Sequence, residues 1–332
     1  MRSETLERAS LITGYWYDRM AASGREALLF GSPAREQCIR AVRRTLSEGA
    51  FFGLYSEFPL LGEPFLDLSV SGSGGAEGFA EGDGFGYAPL FSYSHSVGID
   101  SLGFEYDLST GGENAPRAVM FLPRGMDGSE YIKNCLTLMG LGDRSERVLR
   151  YIHDAPWEFS YFGGLLNGRD RPVRIVFRLR ERELSLIRAD MGRFLSELSN
   201  FGYDGGELSG MPLLAKKAEV LSVGFDVMPD GSLSSSLGCE YGMARHGGDF
   251  LPDRFLQGVN AEVFSTLEEK GCIDSRWREA AKSAFACILT LPDGERVLAK
   301  HAVHTVKLRW KNGAPATPKM YTQFVCGRFA ER

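Results

Sequence analysis

Arg171-Pro172-Val173-Arg174-Ile175-Val176-Phe177-Arg178-Leu179 alternates with a period of two. Val173, Ile175 and Phe177 share one face, and Arg174 and Arg178 share the other with Val176. A strand that is apolar on one side and cationic on the other fits a sheet with a covered face and an enclosed polar face. The run 158–165 lies just before it across a turn, so the two read as a hairpin. The same unit recurs four more times, pairing 51–58 with 64–71, 101–107 with 116–123, 219–228 with 232–241, and 301–310 with 317–325. Pro229-Asp230-Gly231 and Lys311-Asn312-Gly313 are turn signals inside the last two.

Helical spacing fills the intervals. Helices are expected over 5–20, 34–48, 128–140, 143–154, 181–200, 252–270 and 275–288. Cys38, Ile39, Val42 and Leu46 form one stripe, with Gly49 as the stop after it. Asp143 reads as an N-cap, and Leu184, Ile187, Met191, Phe194, Leu195 and Leu198 line one face of the long helix. Ser71–Tyr87 is glycine-rich with no phosphate-loop spacing, and reads as a surface loop or lid. An imperfect ααββ unit cannot bury its apolar face alone, so the hairpins should join. Closing the sheet removes its edges. The expected fold is α+β: one domain over 1–332, a closed ten-stranded antiparallel β-barrel of five ααββ repeats with helices around the outside.

Composition narrows the function. The 332 residues carry a net charge of −5 and are 43% hydrophobic, which disfavours nucleic acid as a partner. No run of about 18 apolar residues is present, so no membrane span is expected. No apolar stretch resembling a signal peptide is visible near Met1, and the six cysteines show no CxxC spacing. A cytoplasmic, monomeric protein is expected. His301 and His304, three apart in a strand, should point to opposite faces and not share a metal.

Sorting the strands by alternation puts Tyr55 and Glu57, Asp67 and Ser69, Arg117 with Val119 and Phe121, Lys307 with Arg309, and Lys319 with Tyr321 and Gln323 on inner faces. Enclosed cations are costly without a compensating anion. Arg, Lys and Tyr hydroxyls are donors suited to phosphate or diphosphate.

Helices alternating with hairpins in this order resemble the ABBA (PT-barrel) prenyltransferases, which bind an allylic diphosphate and an acceptor inside a barrel. Phe65-Leu66-Asp67-Leu68-Ser69-Val70-Ser71 looks like the first-repeat strand of the bacterial aromatic members, where an Asp assists magnesium. Arg117-Ala118-Val119-Met120-Phe121-Leu122-Pro123 is similar to the second-repeat strand, with Arg in place of a diphosphate-binding Lys. Arg174 falls where a third-repeat diphosphate contact belongs, and Lys319-Met320-Tyr321 resembles the superfamily's K-x-Y pair. Glu57 looks like the carboxylate base of indole and cyanobactin-peptide prenyltransferases. The fourth repeat departs from the pattern, since Ser232-Leu233-Ser234-Ser235-Ser236 lacks the usual cation.

The resemblance implies transfer of a dimethylallyl or geranyl group from its diphosphate to an aromatic ring or a peptide side chain. Arg117, Arg174, Lys319 and Tyr321 would bind diphosphate, with Arg178, Lys307 and Arg309 as helpers. Asp67 would hold Mg²⁺, and Glu57 would be the base. Tyr55, Phe104, Tyr106, Phe121, Phe225 and Gln323 would line the prenyl and acceptor pocket. One alternative is a non-catalytic barrel recognising a peptide or isoprenoid. Another is a hydrolase pairing Glu57 with Asp67 or Glu240, which the neighbouring cations disfavour by depressing carboxylate pKa values.

Overall fold

The computed structural model describes residues 2–23, 35–45, 52–73, 86–99, 101–108, 116–122, 127–203, 208, 211–218, 220–242, 256, 259–311 and 314–328. The strands are β1 Phe52–Pro59, β2 Asp67–Ser73, β3 Ser101–Asp107, β4 Arg117–Phe121, β5 Glu158–Leu165, β6 Val173–Leu179, β7 Val220–Val227, β8 Ser236–Gly242, β9 Phe285–Thr290, β10 Arg296–Lys311 and β11 Ala314–Arg328. Each neighbouring pair is antiparallel. The order runs β11-β1-β2-β3-β4-β5-β6-β7-β8-β10, and a β10–β11 pairing closes it into a ten-stranded barrel.

Strand β9 is an addition outside that ring. It pairs with residues 296–301 of β10, while 305–311 of the same strand pair with β8. The helix expected over 275–288 therefore ends at Lys282, and 285–290 is extended. The cause is local: Pro292-Asp293-Gly294 makes a tight turn in which the Leu291 amide donates to the Glu295 carbonyl, with Gly294 at φ 84. The same tripeptide turns the fourth hairpin, where Gly231 also has φ 84.

Ten helices accompany the barrel among the described residues. They do not form five uniform pairs. Arg2–Ala22 and Arg35–Thr45 precede the first hairpin, whereas among the described residues Ala88–Ser96 alone precedes the second. Ser129–Leu138 and Ser145–Asp154 precede the third; Glu181–Ala189, Met191–Asn200 and Met211–Lys217 precede the fourth. Val259–Glu269 and Arg276–Lys282 precede the last strands. The single helix expected over 181–200 breaks at Asp190, whose φ of −150 leaves the helical region and whose carboxylate caps the Arg193 amide at 3.2 Å. Helix 145–154 starts from Arg144 after a short 3₁₀ turn over Gly142–Arg144, so Asp143 does not cap it. Gly49, residues 74–85 of the expected lid, the start of the helix expected at 252 and the turn residues Asn312 and Gly313 lie outside the described residues.

The core lies between barrel and helices. Trp16 meets Phe324 at 6.5 Å, Phe91 stacks on Phe104 at 5.1 Å, Tyr131 meets Phe162 at 6.4 Å, and Phe201 meets Phe225 at 5.5 Å. Leu54, Leu68, Val70, Ile175, Phe177, Val223, Leu308 and Met320 are buried on the same side of the wall. His301 belongs to this layer. Its ring nitrogens lie 3.2 Å from the Ser283 carbonyl and 2.9 Å from Thr322 Oγ1, and burial lowers its pKa to about 4. His304 packs on Tyr55 instead, at 5.3 Å. No described helix is long and apolar enough to cross a membrane.

Candidate functional site

Alternation along the strands sends every second side chain to the lumen. Near the hairpin-turn end these residues line a cavity of about 820 Å³. Glu57, Asp67, Glu105, Asp107, Arg117, Arg174, Asp226, Lys307, Arg309, Lys319 and Tyr321 all contribute. Small residues make the room. A Cβ on Gly163 would stand 3.5 Å from Arg117 Cδ, and one on Gly238 would stand 3.9 Å from Lys307 Cε. Long cationic side chains thus lie along glycine-paved wall.

The structure brings Glu57, Asp67, Arg117, Arg174, Lys307, Arg309, Lys319 and Tyr321 together, as alternation predicts. Arg178, Tyr55, Phe121 and Gln323 share the inner faces but do not line that cavity. Gln323 Nε2 donates to the Tyr55 hydroxyl at 2.5 Å. Phe121 packs on Tyr161 at 5.2 Å. Arg178 Nε is buried and finds no hydrogen-bond partner among the described residues.

Two expected pocket aromatics sit elsewhere, whereas the third, Tyr106, is among the residues that line the cavity. Phe104 packs between Tyr87 and Phe91, Phe225 stacks on Trp157, and the Tyr106 hydroxyl bonds Thr45 on helix 35–45 at 2.8 Å. The Phe104 and Phe225 rings belong to the helix-facing core, and the Tyr106 hydroxyl is drawn towards it, because each of these residues is one position out of phase with its strand's inner positions. Phe104 and Tyr106 flank Glu105, and Phe225 precedes Asp226. Tyr161 is a lumen ring that sequence reasoning missed, and its hydroxyl donates to Glu240 Oε1 at 2.6 Å.

The lining is charge-balanced rather than mainly cationic. Lys319 Nζ donates to Glu57 and lies 3.2 Å from Asp67 Oδ2. Arg174 is bidentate to Asp226 at 2.9 and 3.1 Å, and Arg309 donates to the same carboxylate. Lys307 donates to Glu240 at 2.7 Å, and Arg117 lies 3.5 Å from Glu105. Glu105, Asp226 and Glu240 carry a sequence signal: each is a lone carboxylate between core positions of a strand, in Phe104-Glu105-Tyr106, Phe225-Asp226-Val227 and Cys239-Glu240-Tyr241.

The carboxylates differ in protonation. Burial raises Glu57, but Lys319, Lys307 and the Tyr321 hydroxyl outweigh it and hold it below its usual range. Burial likewise opposes ionisation of Asp226, yet Arg174 and Arg309 bring it down to about 2. Asp67 goes the other way. Burial and then the Glu57 charge, with Asp107 beyond, push it up to about 7 against the pull of Lys319. The register explains this, since Glu57 pairs directly with Asp67 and Asp67 with Asp107 across adjacent strands. The expectation that nearby cations depress every carboxylate here fails at Asp67.

Lys319 already bonds both Glu57 and Asp67, and among the described residues no group of three His, Cys, Asp or Glu side chains is placed to hold a metal. No protein-family description and no curated protein matches this chain.

Asp67 also makes a stability prediction. Its folded pKa lies above the unfolded value of about 4, so its contribution is fully present at low pH and fades as pH rises through about 7. Asn mimics the protonated form. Asp67→Asn should therefore melt above the wild type at pH 8, with the difference closing towards pH 4. Thermal unfolding at both pH values checks this, and equal midpoints at pH 8 would remove the carboxylate-pair account.

Proposed function

We propose that the barrel is a prenyltransferase of the ABBA kind, taking an allylic diphosphate and an electron-rich acceptor into its lumen. One observation carries the reading. Arg117, Arg174, Lys307, Arg309, Lys319 and Tyr321, from four different strands, converge on one cavity inside a closed ten-stranded antiparallel barrel. Negative charge grows on the diphosphate as the allylic C–O bond breaks, and fixed cations favour that state over the ground state. Their carboxylate partners hold them in place beforehand. The acceptor attacks the allylic carbon, and its proton passes to Glu57, which lines the same cavity. Tyr321 on the cavity wall, with Tyr55, Phe121 and Tyr161 on the inner faces, supplies rings able to shelter a cationic allyl group. The acceptor is an aromatic compound or a peptide side chain.

Incubation with dimethylallyl or geranyl diphosphate, with and without Mg²⁺, against aromatic and peptide acceptors tests the reading. A gain of one prenyl unit in an acceptor supports it. Donor binding without transfer supports the second reading, a barrel that recognises an isoprenoid or peptide without catalysis. That reading is favoured by the carboxylate already paired with Arg117, Arg174, Lys307, Arg309 and Lys319.

A further inference from the structure

The fourth hairpin lacks an inner cation, and its inner face offers two carboxylates instead. Asp226 on β7 receives Arg174 from β6 through two hydrogen bonds and Arg309 from β10 through another. Ser236 on β8 adds an acceptor for Arg309 at 2.8 Å. Glu240, also on β8, receives Lys307 from β10 and the Tyr161 hydroxyl from β5 across the lumen, both on Oε1. Four donors from three other strands therefore take their direction from one hairpin.

We propose that Asp226 and Glu240 are positioning residues that aim Arg174, Arg309, Lys307 and Tyr161 into the cavity and, as fixed counter-charges, limit its affinity for anions so that a diphosphate product can leave. The inference rests on the diphosphate reading above. The physical case is one of charge and of donor counting. The Arg174 side chain is 17% exposed and Asp226 only 7%, so neither could stand in the empty lumen without the other. Asp226 is held at about 2 and Glu240 below its usual range, so both are ionised at neutral pH against the burial that opposes them. A guanidinium offers five N–H donors, and Asp226 takes two of Arg174's. Lys307 likewise keeps donors beyond its bond to Glu240. A diphosphate can thus bind without breaking either pair, and it meets cations whose field is already partly cancelled.

The sign of the test follows. Removing a carboxylate charge while keeping its shape leaves buried cations under-compensated, and an anion then fills the deficit. Titration calorimetry with inorganic pyrophosphate on the whole chain should show Asp226→Asn and Glu240→Gln each binding about fivefold to tenfold more tightly than wild type. In transfer assays both should lower kcat and the donor KM together, because product release slows. Asp226→Glu, which restores the charge, should return pyrophosphate affinity to within about twofold of wild type. A purely structural role would not produce tighter binding or its reversal by Glu. Wild-type protein that binds pyrophosphate, with both neutral variants folded by circular dichroism yet binding it equally or more weakly, overturns this inference alone. Wild-type protein that binds no pyrophosphate overturns the diphosphate reading and this inference with it.

Discussion

Lys319→Ala is expected to lower prenyl transfer by at least about 100-fold, the usual cost of losing one fixed donor to a developing anion. Its ammonium is the group shared by Glu57 and Asp67, and it reaches them from β11 on the far side of β1. The same change should destabilise the fold, because Glu57 is buried and would keep a charge with its nearest ammonium gone. Breaking such a buried pair costs on the order of 3 kcal/mol. The pH dependence separates the two effects. Without Lys319 both carboxylates would have folded pKa values above their unfolded values, so the stability loss is small near pH 4 and grows as pH rises. Turnover and thermal unfolding at pH 5 and pH 8 give both numbers. Turnover within threefold of wild type would dismantle the proposed diphosphate cradle.

Glu57→Gln is expected to lower kcat by about 10²- to 10⁴-fold while donor affinity stays within about threefold. Gln keeps an oxygen to accept from Lys319 and from the Tyr321 hydroxyl, so the cradle keeps its shape. What it loses is a site for the acceptor's proton. In the empty cavity Glu57 is a weak base, held down by Lys319 and Lys307 against its burial. A diphosphate drawing on those ammonium groups would loosen that hold and raise its basicity when the acceptor needs it. Single-turnover transfer alongside direct donor titration checks the prediction. Loss of donor binding with loss of turnover would move Glu57 from base to structural partner of Lys319.

Much of this was legible locally. Alternation sorted Arg174 from Ile175, Lys307 from Leu308 and Glu57 from Phe58 correctly, because side-chain direction in a strand follows from the pleat alone. The same rule, applied to 101–107 and 219–228, moves Phe104 and Phe225 out of the pocket and brings in Glu105 and Asp226. Aromatic type suits those rings to a pocket, but their phase directs them to the helices. For β9 the apolar run Phe285-Ala286-Cys287-Ile288-Leu289 suits either a helix end or a strand, and Pro292-Asp293-Gly294 beyond it decides between them.

The five hairpins of the closed ring and their order are written in residues a few positions apart, as is the phase that selects the inner face of each strand. Which cation meets which carboxylate follows from the closed barrel. Lys319 reaches Asp67 on β2, two strands away around the barrel, and Tyr161 reaches Glu240 across the lumen. Such pairings depend on ring closure and on how far a side chain extends into the enclosed space, and no spacing along the chain records either. Strand phase sets both the cations and the carboxylates of the inner face, and closure brings them within reach of one another, so that Arg117, Arg174, Lys307, Arg309 and Lys319 each meet a carboxylate.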